Sequence, residues 1–312
     1  MTARRVAVVV PTFNAGPGFE AVLEAIQRHG GEVEVDIVAL DSGSTDGTVE
    51  RLRRRGARIL TVPQGRFNHG ETRNDGLACA DGEFAVLLVQ DAVPAARGWI
   101  DALLAPLRAD ARVAGSFARQ LPAPGASRLT VHQLSAWIAA GEAPRTVGPL
   151  TGDQLAAMTP AARHQASAFD NVCSCVRLSV WRSHPFRRTA IAEDLEWGLE
   201  VLRAGFTLAY APEAAVRHSH ERTVRYELQR TYLVHQRLQA LFGLQTIPTL
   251  GALLRAVGVT VPLHLRLAAS EPSGRLRAIR RGLGLGVVWP LGQYLGARSS
   301  RDGRPWLRTG RI

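Results

Sequence analysis

The feature that most constrains this chain is a repeated switch between short apolar runs and helix-patterned stretches. Residues 5–10 (Arg-Val-Ala-Val-Val-Val) form an unbroken β-branched run. That is the pattern of a strand covered on both faces of a parallel sheet. A Gly/Pro/Asn loop follows at 11–18, and then Phe19, Val22, Leu23 and Ile26 recur on one helix face. Residues 33–40 read as a second strand, and Ser44-Thr45-Asp46-Gly47 opens a helix carrying Val49 and Leu52. Residues 58–62 read as a third strand, 70–80 as a helix and 83–89 as a fourth strand. This alternation predicts a doubly wound α/β sheet flanked by helices. Ligands in such sheets bind outside the carboxyl ends of the strands. Asn14, Asp41 and Asp91 each stand just past a strand end and are expected to converge.

Farther on, residues 122–165 are rich in Pro, Ala and Gly and read as a long excursion over the site. Strand-like sequence returns at 172–176 and 207–210, with a helix at 195–204 that ends at Gly205. Pro212 reads as a turn after the last strand. From 221 the chain reads as helical, with Arg between apolar stretches; 247–265 and 282–297 are the most apolar. Arg255 interrupts the first, and the second is short and carries Pro290, so neither reads as a membrane span. The expected organisation is an α/β domain over 1–220, made of two halves that divide at about residue 120 (1–120 and 121–220). A helical basic region over 221–312 follows.

The charge supports that division. Residues 1–220 hold 23 Arg and 23 acidic residues, whereas 221–312 hold 15 Arg and 4 acidic residues, so the whole net charge of +11 lies in the C-terminal part. Apolar helical stretches interleaved with Arg suit the surface of an anionic bilayer. With 46% hydrophobic residues in 312, the chain can bury a sizeable core, which argues against long disorder. Cys79, Cys173 and Cys175 give no disulfide framework and point to a reducing compartment. The N-terminus runs straight into strand-like sequence without a secretory signal pattern. The expectation is a cytoplasmic protein, peripheral at the inner face of the cell membrane. No helix-turn-helix, zinc or aromatic-basic module is visible, so no nucleic-acid partner is expected. Pro-Thr-Phe-Asn after the first strand, instead of a Gly-x-Gly-x-x-Gly turn, argues against a dinucleotide-dependent dehydrogenase.

Several residues carry chemistry. Asp91, after the buried run ending Leu88-Val89-Gln90, can ligate a divalent cation that bridges phosphates, or cap the next turn. Asp41, before Ser42-Gly43-Ser44, can accept from a base N–H or close an Asx turn. Arg73 can grip a phosphate or pair with a neighbouring acid. Glu193 and Asp194 open a helix whose dipole favours carboxylates, and either can meet a hydroxyl as a general base. Trp197 can stack on a sugar or pack in the core. His218 and His220 can complete a metal shell.

Taken together, Val10-Pro11-Thr12-Phe13-Asn14, Asp41-Ser42-Gly43-Ser44-Thr45-Asp46-Gly47, Arg73-Asn74-x-Gly76, the strand ending at Asp91, and Glu193-Asp194 with His218 resemble the family 2 inverting glycosyltransferases of GT-A fold. Phe67-Asn68-His69-Gly70, Gln90-Asp91-Ala92-x-Pro94, Phe169-Asp170-Asn171 and Glu193-Asp194-Leu195-Glu196-Trp197-Gly198 further resemble the bacterial rhamnosyltransferase-like branch. The resemblance implies a nucleotide-sugar site of Pro11, Thr12, Phe13, Asn14, Asp41, Ser42, Arg73, Gln90 and Asp91. It implies Asp194 as catalytic base beside Glu193, acceptor contacts from Glu196 and Trp197, and a divalent metal (Mg²⁺ or Mn²⁺) on Asp91 and His218. It further implies transfer of a sugar, with thymidine diphosphate rhamnose (dTDP-rhamnose) the implied donor, to a glycan or polyprenyl-linked acceptor in cell-surface polysaccharide synthesis. The chain departs from the family at Val89, where the first Asp of the Asp-x-Asp metal motif is expected. A catalytically impaired nucleotide-sugar-binding protein of the same fold is the alternative that this departure leaves.

Overall fold

The computed structural model describes residues 5–31 and 33–307; the outer ends of the two expected domains, 1–4 and 308–312, lie outside the described residues. The chain forms two compact units. The first takes in the chain up to Leu121, Ile138–Ala157 and Ala166–His218; the second takes in Pro122–Trp137, Met158–Gln165 and the chain from Ser219. The stretch read as a long excursion over the site is therefore shared between units, and it contains short helices and a strand. Its Ser127 caps a helix by accepting from the Thr130 N–H at 3.3 Å, a local signal that the small-residue composition masked.

The first unit is built on a mixed sheet. Its strands among the described residues are β1 (Arg5–Thr12), β2 (Glu34–Asp41), β3 (Arg58–Thr61), β4 (Phe84–Leu88), β5 (Val93–Pro94), β6 (Val113–Leu121), β7 (Arg145–Val147), β8 (Cys173–Arg177) and β9 (Thr207–Arg217). The order across the sheet is β3-β2-β1-β4-β8-β6-β9-β5, with β7 pairing β9 from outside that path. β1 to β4 pair in parallel, as the uniform apolar runs of β1 and β4 predict; β8 enters antiparallel between β4 and β6. The core lies on both faces of β1 and β4, where Val8, Val9, Val10, Val86 and Leu87 are fully buried.

Helices α1 (Phe19–Gln27), α2 (Thr48–Arg54) and α3 (His69–Ala78) follow the parallel strands β1, β2 and β3, and α4 (Trp99–Ala109) follows β5. Phe19, Val22, Leu23 and Ile26 all point into the core, so the helical periodicity of α1 was read correctly. α3 lies hard against the sheet. A Cβ at Gly76 would sit 2.4 Å from Val9 Cγ1, so only glycine allows this approach. The parallel register aligns Thr12 with Asp41, which brings two of the expected site loops together.

Pro212 does not end the last strand in a turn. β9 runs on to Arg217, with its ladder against β6 irregular between Ala118 and Gln120: the pairing passes from Ala118–Ala211 to Gln120–Val216. Such an irregularity re-aims the strand end. His218 follows directly and donates its backbone N–H to the Leu121 carbonyl at 2.9 Å.

After the short helices α5 (Arg128–Ser135), α6 (Gly152–Ala157), α7 (Pro160–Ala166) and α8 (Leu178–Ser183), helix α9 (Glu193–Arg203) belongs to the first unit. Helices α10 (Val224–Phe242), α11 (Leu250–Ala269) and α12 (Arg275–Asp302) belong to the second. α12 packs through glycines: Cβ atoms at Gly286 and Gly296 would meet Val261 Cα at 2.9 Å and the Tyr232 carbonyl at 2.2 Å. Small residues allow helices to approach this closely. α11 is, by length and composition, the one described helix long and apolar enough to cross a membrane; 17% of its most apolar window is buried.

Candidate active site

The loops after β1, β2 and β4 form one hydrogen-bonded array. The Asp41 carboxylate is 4% exposed and accepts four bonds: from Thr12 Oγ1 at 3.0 Å, Ser44 Oγ at 2.5 Å, Gly43 N–H at 3.0 Å and Ser44 N–H at 2.9 Å. Asp41 thus closes the Asx turn that its sequence context allows. Asn14 joins the array by accepting from the Thr45 N–H at 2.9 Å, while its own N–H donates to Ser44 Oγ at 2.8 Å. The Gln90 amide spans to the first loop, accepting from the Phe13 N–H at 2.8 Å and donating to its carbonyl at 3.2 Å. The Phe13 ring is left 44% exposed at the rim, and Pro11 is half-buried. The Ser42 hydroxyl is buried without a hydrogen-bond partner in the protein. A buried unpaired hydroxyl in a strand-end loop is the kind of group a ligand satisfies.

Among the described residues, two non-glycine residues hold a positive φ: Asn14 at 44° and Ala192 at 62°. Such outliers cluster at ligand sites because the surroundings must hold them in place. One lies in the strand-end array, and the other immediately precedes Glu193-Asp194.

At the start of α9 the two acids separate. Glu193 turns inward to Arg73, with Oε1 2.6 Å from the guanidinium and both side chains under a tenth exposed. Arg73 also donates to the His69 carbonyl at 3.3 Å. The structure therefore spends Arg73 on joining α3 to α9 and holds Glu193 in an ion pair. Arg73 was expected at the nucleotide and Glu193 beside the base; in this arrangement both support Asp194. Asp194 accepts from the Leu195 N–H at 2.8 Å and the Asn171 N–H at 3.3 Å. Burial, the neighbouring Glu193 charge and the Asp170 charge together push its carboxyl up to about 8. A carboxylate among carboxylates, short of strong donors, is a good proton acceptor.

The geometry of α9 rests on Gly198, whose Cβ would sit 2.2 Å from the Ser167 carbonyl, so the helix lies against the backbone that leads to Asp170 and Asn171. Trp197, expected at the acceptor, is 1% exposed. It packs on Phe169 and Phe186 and donates Nε1–H to the His184 carbonyl at 2.8 Å, so its ring presents no face to a sugar. Glu196 is half-buried one residue before it.

Asp91 and His218, expected to share a metal, do meet: Nε2 lies 3.4 Å from Asp91 Oδ1. His218 Nδ1 lies 3.1 Å from Gln120 Oε1, and Gln120 Nε2 donates to the Asp170 carboxylate. One exposed carboxylate and one imidazole fit a divalent cation that takes its remaining ligands from phosphate and water. Val89, at the position of the missing acid, packs against the core. Gln120 and Asp170 were not singled out from the sequence as site residues. Asp170 stood in a quoted motif, but Gln120 lies near the end of β6 outside any motif, where the β6–β9 irregularity sets it opposite Val216.

Residues 7–141 match Glycosyl transferase family 2, and residues 152–276 match Glycosyl transferase family group 2. The chain is 31% identical over 234 residues to the O-antigen chain rhamnosyltransferase RfbN of Salmonella typhimurium, covering 73% of this chain and 70% of that protein. It is 30% identical over 230 residues to the O-antigen chain rhamnosyltransferase WbaN of Salmonella anatum, covering 72% and 69%. Among solved structures it is similar to the mannosyltransferase PcManGT of Pyrobaculum calidifontis, in complex with GDP-Man and Mn²⁺. The TM-score there is 0.57 at 16% identity, over 96% of this chain and 88% of that one. It is also similar to glucosyl-3-phosphoglycerate synthase of Mycobacterium tuberculosis, with a TM-score of 0.52 at 22% identity over 80% and 82%. These likenesses establish the GT-A fold. The chain is a glycosyltransferase and belongs to glycosyl transferase family 2, in its rhamnosyltransferase-like branch.

Proposed function

We propose that this chain transfers L-rhamnose from thymidine diphosphate rhamnose to a hydroxyl of a glycan or polyprenyl-linked acceptor, with inversion, during synthesis of an O-antigen-type cell-surface polysaccharide. The names of its relatives support the sugar, and the observation that carries the chemistry is the environment of Asp194. Its raised proton affinity suits it to take the proton of an acceptor hydroxyl. The freed oxygen attacks the anomeric carbon, the bond to the diphosphate breaks, and the nucleoside diphosphate departs. A single displacement inverts the centre and needs no covalent enzyme intermediate.

Pro11, Thr12, Phe13, Asn14, Ser42 and Gln90 line the nucleotide in this reading, Phe13 by its exposed ring and Ser42 by its unpaired hydroxyl. Asp41 serves the same site by holding the loop. Glu196 faces the acceptor, and Arg73 with Glu193 fixes the helix that carries the base. Asp91 and His218 would hold Mg²⁺ or Mn²⁺, which when bound would supply charge stabilisation for the departing diphosphate. The catalytic domain is the α/β part up to about residue 220, and the basic helical part from 221 attaches it to the cytoplasmic face of an anionic membrane. Leu276 and Leu283 are exposed on α12 with Arg275, Arg277 and Arg280 of the same helix, and Leu250 and Leu254 are exposed on α11.

A thermal-shift panel of nucleoside diphosphates and nucleotide sugars, with and without Mn²⁺, tests the donor. The expected result is a shift selective for thymidine diphosphate species, larger with Mn²⁺. A selective shift with uridine or guanosine diphosphate overturns the donor assignment. Flotation with anionic vesicles tests the membrane attachment: replacing Arg275, Arg277 and Arg280 by Gln should release the protein, at about 1 kcal/mol for each charge. Equal flotation of both forms refutes it.

A further inference from the structure

We infer that Gln120 and Asp170 are positioning residues that fix the proton of His218 on Nδ1 and so present its Nε2 lone pair toward Asp91 and the cation. The inference rests on the cation site proposed above.

The argument runs inward from the buried end. Asp170 is 6% exposed, and its carboxylate only accepts: Oδ1 takes the Val172 N–H at 3.0 Å, and Oδ2 takes Gln120 Nε2. A carboxylate cannot donate, so the Gln120 amide is held with its nitrogen toward Asp170 and its carbonyl oxygen on the opposite side. That oxygen is the atom 3.1 Å from His218 Nδ1. A carbonyl oxygen also only accepts, so Nδ1 must carry hydrogen, and in the neutral ring Nε2 is then the lone-pair nitrogen. Nε2 faces Asp91 Oδ1 at 3.4 Å, longer than a strong charge-assisted bond. With hydrogen on Nδ1, Nε2 would be free to donate its lone pair to a divalent cation that Asp91 also holds. Gln120 is 7% exposed and sits at the ladder irregularity opposite Val216, two residues before His218, so the backbone holds amide and ring in fixed register. Outer groups of this kind commonly govern metal affinity by 10–100-fold.

Two readouts test this on the full chain. The ¹⁵N shifts of His218 in metal-free protein report which ring nitrogen carries the proton. Titration with Mn²⁺ alone, followed by electron paramagnetic resonance, reports affinity. The expected outcome is an Nδ1–H tautomer in the native protein and Mn²⁺ binding weakened roughly tenfold or more in Gln120→Met. Asp170→Asn frees the amide to turn and should weaken binding in the same direction. His218→Ala should weaken it at least as much. An Nε2–H tautomer in the native protein overturns the inference without any variant. If His218→Ala weakens Mn²⁺ binding while folded Gln120→Met binds as the native protein does, the inference fails and the cation site stands. If His218→Ala also binds normally, the cation site itself is wrong and the inference falls with it.

Discussion

Two places in the first unit carry an aspartate that chain folding takes out of bulk water, and they treat it in opposite ways. In the loop after β2, Asp41 receives four donors, two from backbone N–H groups and two from hydroxyls. All its acceptor sites are turned to its own chain, so the anion shapes the loop. At the start of α9, Asp194 receives two backbone N–H bonds and faces the charges of Glu193 and Asp170. On the function proposed above, the same side chain serves as a scaffold in one place and as a base in the other. Hydrogen-bond supply and neighbouring charge, and not residue type, divide the roles. The Glu193–Arg73 pair keeps a negative charge beside Asp194 while neutralising the strain on the core that an unpaired Glu193 would cause.

This contrast can be broken by substitution. Asp194→Asn should have the largest effect, cutting turnover by about 10³-fold while nucleotide binding holds, because it removes the proton acceptor alone. Turnover near the native level would dissolve the distinction. Asp91→Ala comes next: it should abolish the metal-dependent part of donor binding measured by calorimetry, and an unchanged metal effect would move the cation elsewhere. Asp41→Asn leaves one carbonyl oxygen where four donors now converge, so it should destabilise the fold by about 2 kcal/mol and weaken the donor. If instead it lowered turnover with donor affinity and melting temperature intact, Asp41 would be a reacting group. The mildest test is Gly198→Ala. The added methyl meets the Ser167 carbonyl and should cost about 1–3 kcal/mol, shifting α9 and lowering turnover more than donor affinity. Equal losses in both would mean that the two regions are not independent.

The architecture was largely legible because β1, β4 and α1 announce themselves by period. Val8, Val9 and Val10 are buried on both faces of the sheet, and the Phe19–Ile26 stripe is buried along one face of its helix. The strand-end positions of Asn14, Asp41 and Asp91 were equally readable, since strand ends follow from apolar runs. Pairing across the chain was not. Sequence spacing holds no record that Arg73 reaches Glu193, 120 positions away, or that Gln120 meets His218, 98 positions away. Trp197 was left open between the acceptor and the core because an aromatic beside an acidic helix start reads alike whether it stacks or packs; Phe169 and Phe186 around it decide for packing. Pro212 was read as a turn because proline usually ends a ladder, and here a ladder irregularity accommodates it.

The base assignment also fixes a dependence on pH. The carboxyl of Asp194 is raised in the folded protein, so its protonated form favours the fold. Stability falls as pH rises from the ordinary carboxylate range through about 8, and turnover, which needs the anion, rises over the same window. Titration of the Asp194 carboxyl carbon by ¹³C NMR in the full chain tests this most directly. The account predicts a midpoint near 8, absent in Asp194→Asn. A midpoint near 4, where an unperturbed aspartate titrates, would contradict the claim that the start of α9 builds a base.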